Sequence, residues 1–218
     1  FEQFPIRGVN GVFLLKDTIY ASTPNGLMRF DDSLAQFVPD SDVFKPAITV
    51  TALGYSQSNQ TVWVGTHEGL YAVANQGEAR KVLSVNVSTL LIDSKQQVWV
   101  GTYNQGLFHL DGAGVVLNVF SAMDTAHSLA DNFVRALSQD DKGNVWAGTF
   151  RGLSIINRET TQIDNVLSRN DEHSLSHNSI YCIYKDREGT IWIGSYFGGV
   201  NYCNPNFEIF KHYRTKND

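Results

Sequence analysis

Metal ligation and nucleophilic catalysis depend on histidine, cysteine and paired carboxylates, and here those residues are few and poorly arranged. The six histidines are His67, His109, His127, His173, His177 and His212. His173 and His177 stand four apart, the spacing that puts two ligands on one helix face. They lie, however, in HSLSHN (173–178), whose Ser and Asn content reads as a loop. The only two cysteines, Cys182 and Cys203, are too few for a disulfide framework. No G-x-S-x-G, H-E-x-x-H, Walker loop or G-x-G-x-x-G is present. We therefore expect no catalytic residue, no metal and no cofactor.

A better chemical signal comes from aromatic and polar residues that follow a recurring Gly-Thr or Gly-Ser pair. These are His67 and Glu68; Tyr103, Asn104 and Gln105; Phe150 and Arg151; and Tyr196 and Phe197. Aromatic faces next to directional hydrogen-bonding groups suit a neutral sugar in a shallow site. The same rings also suit a packing role as lids over strand ends, and the sequence leaves both readings open. Arg135 and Tyr181 each stand eleven residues before a tryptophan and are candidates to project into an axial channel. A buried Arg needs a partner; a ligand is one candidate and a neighbouring Asp the commoner one.

The elements that must position these residues follow from an internal repeat. VWVGTHEGL (62–70), VWVGTYNQGL (98–107), VWAGTFRGL (145–153) and IWIGSYFGGV (191–200) align on Trp63, Trp99, Trp146 and Trp192. A worn copy, IYASTPNGL (19–27), has Tyr20 at that place, so the spacings are 43, 36, 47 and 46 residues. A period of about 40–50 residues with one Trp per unit marks a propeller blade of four short strands, a to d. The expected fold is all-β, a β-propeller with about five four-stranded blades, spanning approximately 8–38, 48–84, 86–120, 132–167 and 179–213 in one domain over 1–218. In the last blade the strands read as 179–185, 190–195, 199–203 and 207–213.

The b strands are apolar on both faces, as a sheet sandwiched between sheets requires. Gly65, Gly101, Gly148 and Gly194, two residues after each Trp, leave room for a neighbouring blade. The a–b turns Asp140–Gly143 and Asp186–Gly189 fit hairpins with Gly at a positive φ, and no further carboxylates follow to complete a calcium loop. Cys182 on strand a and Cys203 on strand c lie about 9–10 Å apart across strand b, too far for a disulfide. Both read as buried apolar fillers.

Composition narrows the partners. Seventeen Lys and Arg against 22 Asp and Glu give a net charge of −5, with no basic run to track nucleic acid or anionic lipid. No apolar stretch approaches a membrane span of about 18 residues, so no direct membrane contact is expected from this segment. Eighteen Gly, 12% aromatic and 18% charged residues suit short strands and tight turns.

The string [IV]-W-[IVA]-G-[TS]-x(2–3)-G-[LV], preceded six residues before Trp by Asp93, Asp140 and Asp186, resembles the two-component-regulator propeller repeat. The last unit, HSLSHNSIYCIYKDREGTIWIGSYFGGVNYCNP (173–205), carries the likeness best. In the first two units it weakens: Gln57 and Gln60 stand where the turn Asp and Gly belong. The resemblance implies the periplasmic sensor region of a hybrid two-component system, part of an inner-membrane protein, whose seven-bladed propellers detect oligosaccharides or sugars and control polysaccharide-utilisation genes. It implies a homodimer in the full receptor and a non-enzymatic role for this segment. FEQFPI (1–6) then reads as the outer strand of an earlier blade, and the five units as part of a seven-bladed propeller. Two alternatives are a carbohydrate-active propeller enzyme, a lyase or glycosidase needing two carboxylates or a Tyr/His pair on one face, and a scaffold for protein partners.

Overall fold

The computed structural model describes residues 6–40, 48–74, 78–123, 128–169 and 174–205, and the backbone of 209–213. Segment 1–5, His127 and His173 lie outside the described residues, as does the side chain of His212. So do residues 206–208, where the last strand d was expected to begin.

Twenty strands form five antiparallel four-stranded sheets, and no helix occurs among the described residues. The first sheet contains β1 (Gly11–Leu15), β2 (Thr18–Thr23), β3 (Gly26–Asp31) and β4 (Gln36–Pro39). The second contains β5 (Val50–Ser56), β6 (Thr61–Thr66), β7 (Gly69–Ala74) and β8 (Arg80–Leu83). The third has β9 (Val87–Ile92), β10 (Val98–Thr102), β11 (Leu107–Leu110) and β12 (Val116–Phe120). The fourth has β13 (Val134–Gln139), β14 (Val145–Thr149), β15 (Leu153–Ile156) and β16 (Ile163–Val166). The fifth has β17 (Ile180–Lys185), β18 (Ile191–Ser195), β19 (Gly199–Asn204) and β20 (Ile209–Tyr213). Within each sheet the strands pair in sequence order, which is the meander of a propeller blade. The expected class and blade count are therefore what the chain adopts.

By contacts the chain divides into two compact units, Phe1–Val98 with Leu110–Val115, and Trp99–His109 with Val116–Asp218. In the first unit Leu15, Tyr20, Leu27, Val50, Val62, Val64 and Val73 form a buried cluster. In the second, Trp146, Leu153, Leu175, Ile180, Ile191, Ile193 and Cys203 do so. Strands β6, β10 and β14 are buried at every position, as two-faced apolar strands require.

The glycine two residues after Trp explains how closely the blades pack. A Cβ on Gly65 would meet Val87 Cγ1 at 2.5 Å, and one on Gly148 would meet Ile180 Cγ2 at 2.5 Å. In both cases the neighbour opens the first strand of the following blade. Any side chain at these sites would push blades apart.

The a–b turns also take their expected form. Gly143 and Gly189 have φ of 87° and 81°, and their amides donate to the carbonyls of Asp140 and Asp186. Gln60 and Gln96 hold positive φ of 54° and 63° at the corresponding points of the second and third blades, without the freedom of glycine.

Cys182 corrects the expectation for the cysteines. Both are free thiols, Cys203 is buried as expected, but Cys182 is exposed. Its strand β17 alternates irregularly with Tyr181 and Tyr184 also exposed, so this face of the blade carries no covering sheet among the described residues.

Candidate functional site

The b–c turns are held by the hydroxyl of the repeated Gly-Thr or Gly-Ser pair. Thr66, Thr102, Thr149 and Ser195 donate their hydroxyls to the carbonyls of Gly69, Gly106, Gly152 and Gly199, at 3.0, 2.8, 2.7 and 3.1 Å. The same oxygens accept turn amides: Glu68 N and Gly69 N at Thr66, Gln105 N at Thr102, and Arg151 N at Thr149. One hydroxyl, fully buried at Thr66, Thr102 and Thr149, thus closes each turn from inside, and the residues between it and the glycine vary from blade to blade. Those are the candidate residues.

The d–a connections come to the same turns. Tyr196 N donates to Ser179 O and Phe150 N to Phe133 O. Asn132 and Asn178 occupy equivalent places, accepting Ala122 N at 2.8 Å and Ser168 N at 2.6 Å. Leu129 and Leu175 are buried anchors for these connections.

A β-bulge aims the remaining candidates. Pairing of β13 with β14 skips a residue between Val134 and Ala136, and pairing of β17 with β18 skips one between Ile180 and Cys182. The bulged residues are Arg135 and Tyr181. A bulge turns its extra residue out of the ladder and redirects the side chain. Sequence spacing alone marked these two positions as equivalent but gave no sign of the bulge; the same shift around Thr51 in β5 shows it to be a repeated device.

In the second unit these features converge. The Arg135 guanidinium carbon lies 4.6 Å from the Phe133 ring centre, 4.8 Å from Phe150 and 5.7 Å from Tyr181. Its Nη1 donates to Ser179 Oγ at 2.9 Å. Tyr103 stacks on Phe133 at 4.6 Å, Tyr181 on Tyr196 at 6.2 Å, and Tyr196 meets Phe197 edge to face at 4.3 Å. The result is a continuous row of rings from Tyr103 to Phe197 with one cation embedded in it. A cation over a ring face at a partly exposed site contributes about 0.5–1 kcal/mol, enough to set the guanidinium plane. Among the described residues no Asp pairs with Arg135; Asp131 pairs with Arg151 at 3.4 Å.

Beside this row lies a cleft of about 720 Å³, bordered by Phe150, Arg151, Asn165, His177, Tyr196 and Phe197 among others. Its volume falls in the range of small-molecule sites, about 300–1,000 Å³. His177 Nδ1 accepts the Ser179 amide at 3.0 Å, which fixes the neutral tautomer with Nε2 as a donor. That bond gives His177 a structural task; no cluster of metal-ligating residues occurs among the described residues, which do not include His173. The rings combine these contacts with exposure: Phe197 is 82% exposed, Tyr196 59% and Phe150 47%.

The structure does not bring all candidates together. Tyr103, Phe150, Arg151, Tyr196, Phe197, Arg135 and Tyr181 belong to the row and its cleft, and Asn104 and Gln105 are exposed in the turn that carries Tyr103. His67 and Glu68 lie in the first unit, where His67 Nδ1 bonds Asn86 Oδ1 at 2.9 Å. Phe133, His177 and Asn165 were missed. Phe133 sits at the entry to a strand, where a lone aromatic reads as core, and only the turn-to-strand contact reveals its place.

Four-stranded meanders repeated with Trp on the second strand define a β-propeller. Within it, residues 81–104, 128–151 and 174–197 match the two component regulator propeller model, so the chain carries three repeats of that kind. No curated protein matches the sequence. Among solved structures, the extracellular domain of a putative hybrid two component system from B. thetaiotaomicron is 21% identical, over 96% of this chain and 36% of its own, with a TM-score of 0.47. The chain thus spans little more than a third of that domain's length. The β-propeller domain of Myceliophteria thermophila Cps50 (Swd1) is 12% identical over 93% of this chain and 67% of its own, TM-score 0.70. A catalytically inactive virginiamycin B lyase from Staphylococcus aureus is 12% identical over 99% and 73%, TM-score 0.70. The latter two likenesses are of fold.

Proposed function

We propose that this chain is the extracytoplasmic ligand-sensing part of a two-component signalling receptor, and that it recognises an oligosaccharide through the aromatic row and cleft of its second unit. The observation that carries the reading is the row itself: exposed rings from Tyr103 to Phe197 presented by turns whose repeated parts are structural and whose variable parts face outward. Stacked rings offer CH–π surface to sugar faces, while Asn178, His177 and Arg151 supply directional donors at the rim. The three regulator-propeller repeats support placement in a signalling receptor. On this reading the chain acts as one part of a longer, periplasmic, homodimeric and membrane-anchored protein with a larger propeller, and its occupancy biases an attached kinase controlling polysaccharide-utilisation genes.

A binding role fits this cleft better than hydrolysis, because none of the described residues bordering it is Asp or Glu and a glycosidase needs a pair of carboxylates about 5–10 Å apart. The test is a calorimetric screen of the chain against plant and host-glycan oligosaccharides and against peptides. Binding of an oligosaccharide with no turnover is expected. Peptide binding on the same face, with no sugar bound, would replace the sensor reading by a protein scaffold.

A further inference from the structure

We infer that the ligand of this cleft carries an anionic group, a carboxylate or sulfate on the sugar, and that Arg135 receives it. The inference rests on the ligand-binding reading above and changes the neutral sugar expected from the sequence to an acidic one.

Charge is the first ground. The protein as a whole is acidic, with a net charge of −5. Among the described residues the border of the cleft includes Arg151 and no carboxylate, and Arg135 stands against two of its bordering residues, Phe150 and Ser179. Asp131, which accepts the Phe133 amide, is engaged by Arg151 and not by Arg135. Arg135 pairs with no carboxylate among the described residues; its one hydrogen bond goes to a neutral hydroxyl.

Geometry is the second. Three rings hold the guanidinium, and Nη1 is tied to Ser179, so its orientation is set before any ligand arrives. Among the described residues Nη2 and Nε have no acceptor, and neither is a sealed, unsatisfied buried atom. Two donors on a planar, preoriented fork flanked by aromatic faces match the two oxygens of a carboxylate or of a sulfate edge. Lysine in that place would offer a point charge without the fork. The bulge turns the Arg135 side chain out of the ladder, as the equivalent bulges do at Thr51 and Tyr181, and of these three positions only Arg135 carries a charge.

The experiment is titration calorimetry of the 218-residue chain with three size-matched probes: tetragalacturonate, a sulfated galactotetraose and neutral galactotetraose. Tighter binding of an acidic probe by about tenfold or more over the neutral one is expected, and comparison of the two acidic probes tells carboxylate from sulfate. Raising the salt from about 0.05 to 0.3 M should weaken the acidic probe severalfold and leave the neutral one unmoved, a readout that needs no variant. Arg135→Gln should erase the preference and Arg135→Lys should restore part of it, with the melting temperature recorded for each. Equal binding of neutral and acidic probes, insensitive to salt, overturns the anionic assignment while leaving the sugar-binding reading in place. Failure of all three, together with failure of the wider screen, removes both.

Discussion

Trp146 Nε1 donates to Asp140 Oδ2 at 3.0 Å, and the same carboxylate accepts Asn144 N and Nδ2. The pair links the a–b turn of a blade to the tryptophan six residues on, so the repeated Asp and Trp are two ends of one contact. Trp192 and Asp186 repeat it at 2.8 Å. In the second blade Gln57 replaces the aspartate, and there Trp63 Nε1 is buried with no partner among the described residues. Asp140→Ala should cost about 1–3 kcal/mol by orphaning a buried indole donor. Gln57→Asp should raise stability by about 0.5–1.5 kcal/mol by supplying one. Equilibrium denaturation in urea checks both.

The Asp186 carboxyl is held below its ordinary range, first by the hydrogen bond from the Trp192 indole, which outweighs an opposing effect of burial, and further by the amides of Thr190 and Glu188. A carboxyl whose folded value lies below its unfolded one stabilises the fold at every pH above the unfolded value of about 3.9. That stabilisation is lost as pH falls through the folded value. Asp31, held low by the Ser33 hydroxyl and the Leu34 amide, adds to the same loss. Melting temperature should therefore fall below about pH 4, and Asp186→Asn should reduce that fall while lowering the plateau at neutral pH.

Thr149 shows what the repeated hydroxyl does. Thr149→Val removes the donor to Gly152 O and the acceptor of Arg151 N in a fully buried site. A loss of about 1–3 kcal/mol is expected, together with weaker ligand binding because Phe150 and Arg151 lose their fixed turn. Thr149→Ser, which keeps the hydroxyl, should restore both.

Packing and recognition separate cleanly in two other residues. Leu175 is fully buried, and Leu175→Ala should cost about 2–5 kcal/mol through the cavity it leaves. Phe197 is 82% exposed, and Phe197→Ala should change stability by no more than about 0.5 kcal/mol while reducing oligosaccharide affinity. Thermal denaturation and calorimetry on the two variants give opposite patterns if the exposed ring serves a ligand.

The repeat carried the fold in the sequence because each blade must satisfy the same local demands: Trp on a two-faced strand, Gly where Val87 or Ile180 approaches, a hydroxyl to close the turn. The residues that meet these demands stand within a few positions of one another on each second strand, so the period exposes them. The site was only partly readable. Its turn residues stood out as the variable positions between fixed ones, but the convergence of Phe133, Arg135 and His177 depends on bulges and on contacts between adjacent blades, which leave no local pattern. Cys182 failed for the same reason: strand alternation says which face a residue takes, and not whether another sheet covers that face.

The central claim is that the row and cleft of the second unit form the binding face. Chemical-shift mapping of the isotopically labelled chain, titrated with the tightest oligosaccharide from the screen, tests it directly. The account predicts that perturbations concentrate on Phe150, His177, Tyr196, Phe197 and the Arg135 guanidinium. Saturable perturbations confined to the turn of His67 and Glu68, with these five unmoved, would contradict it.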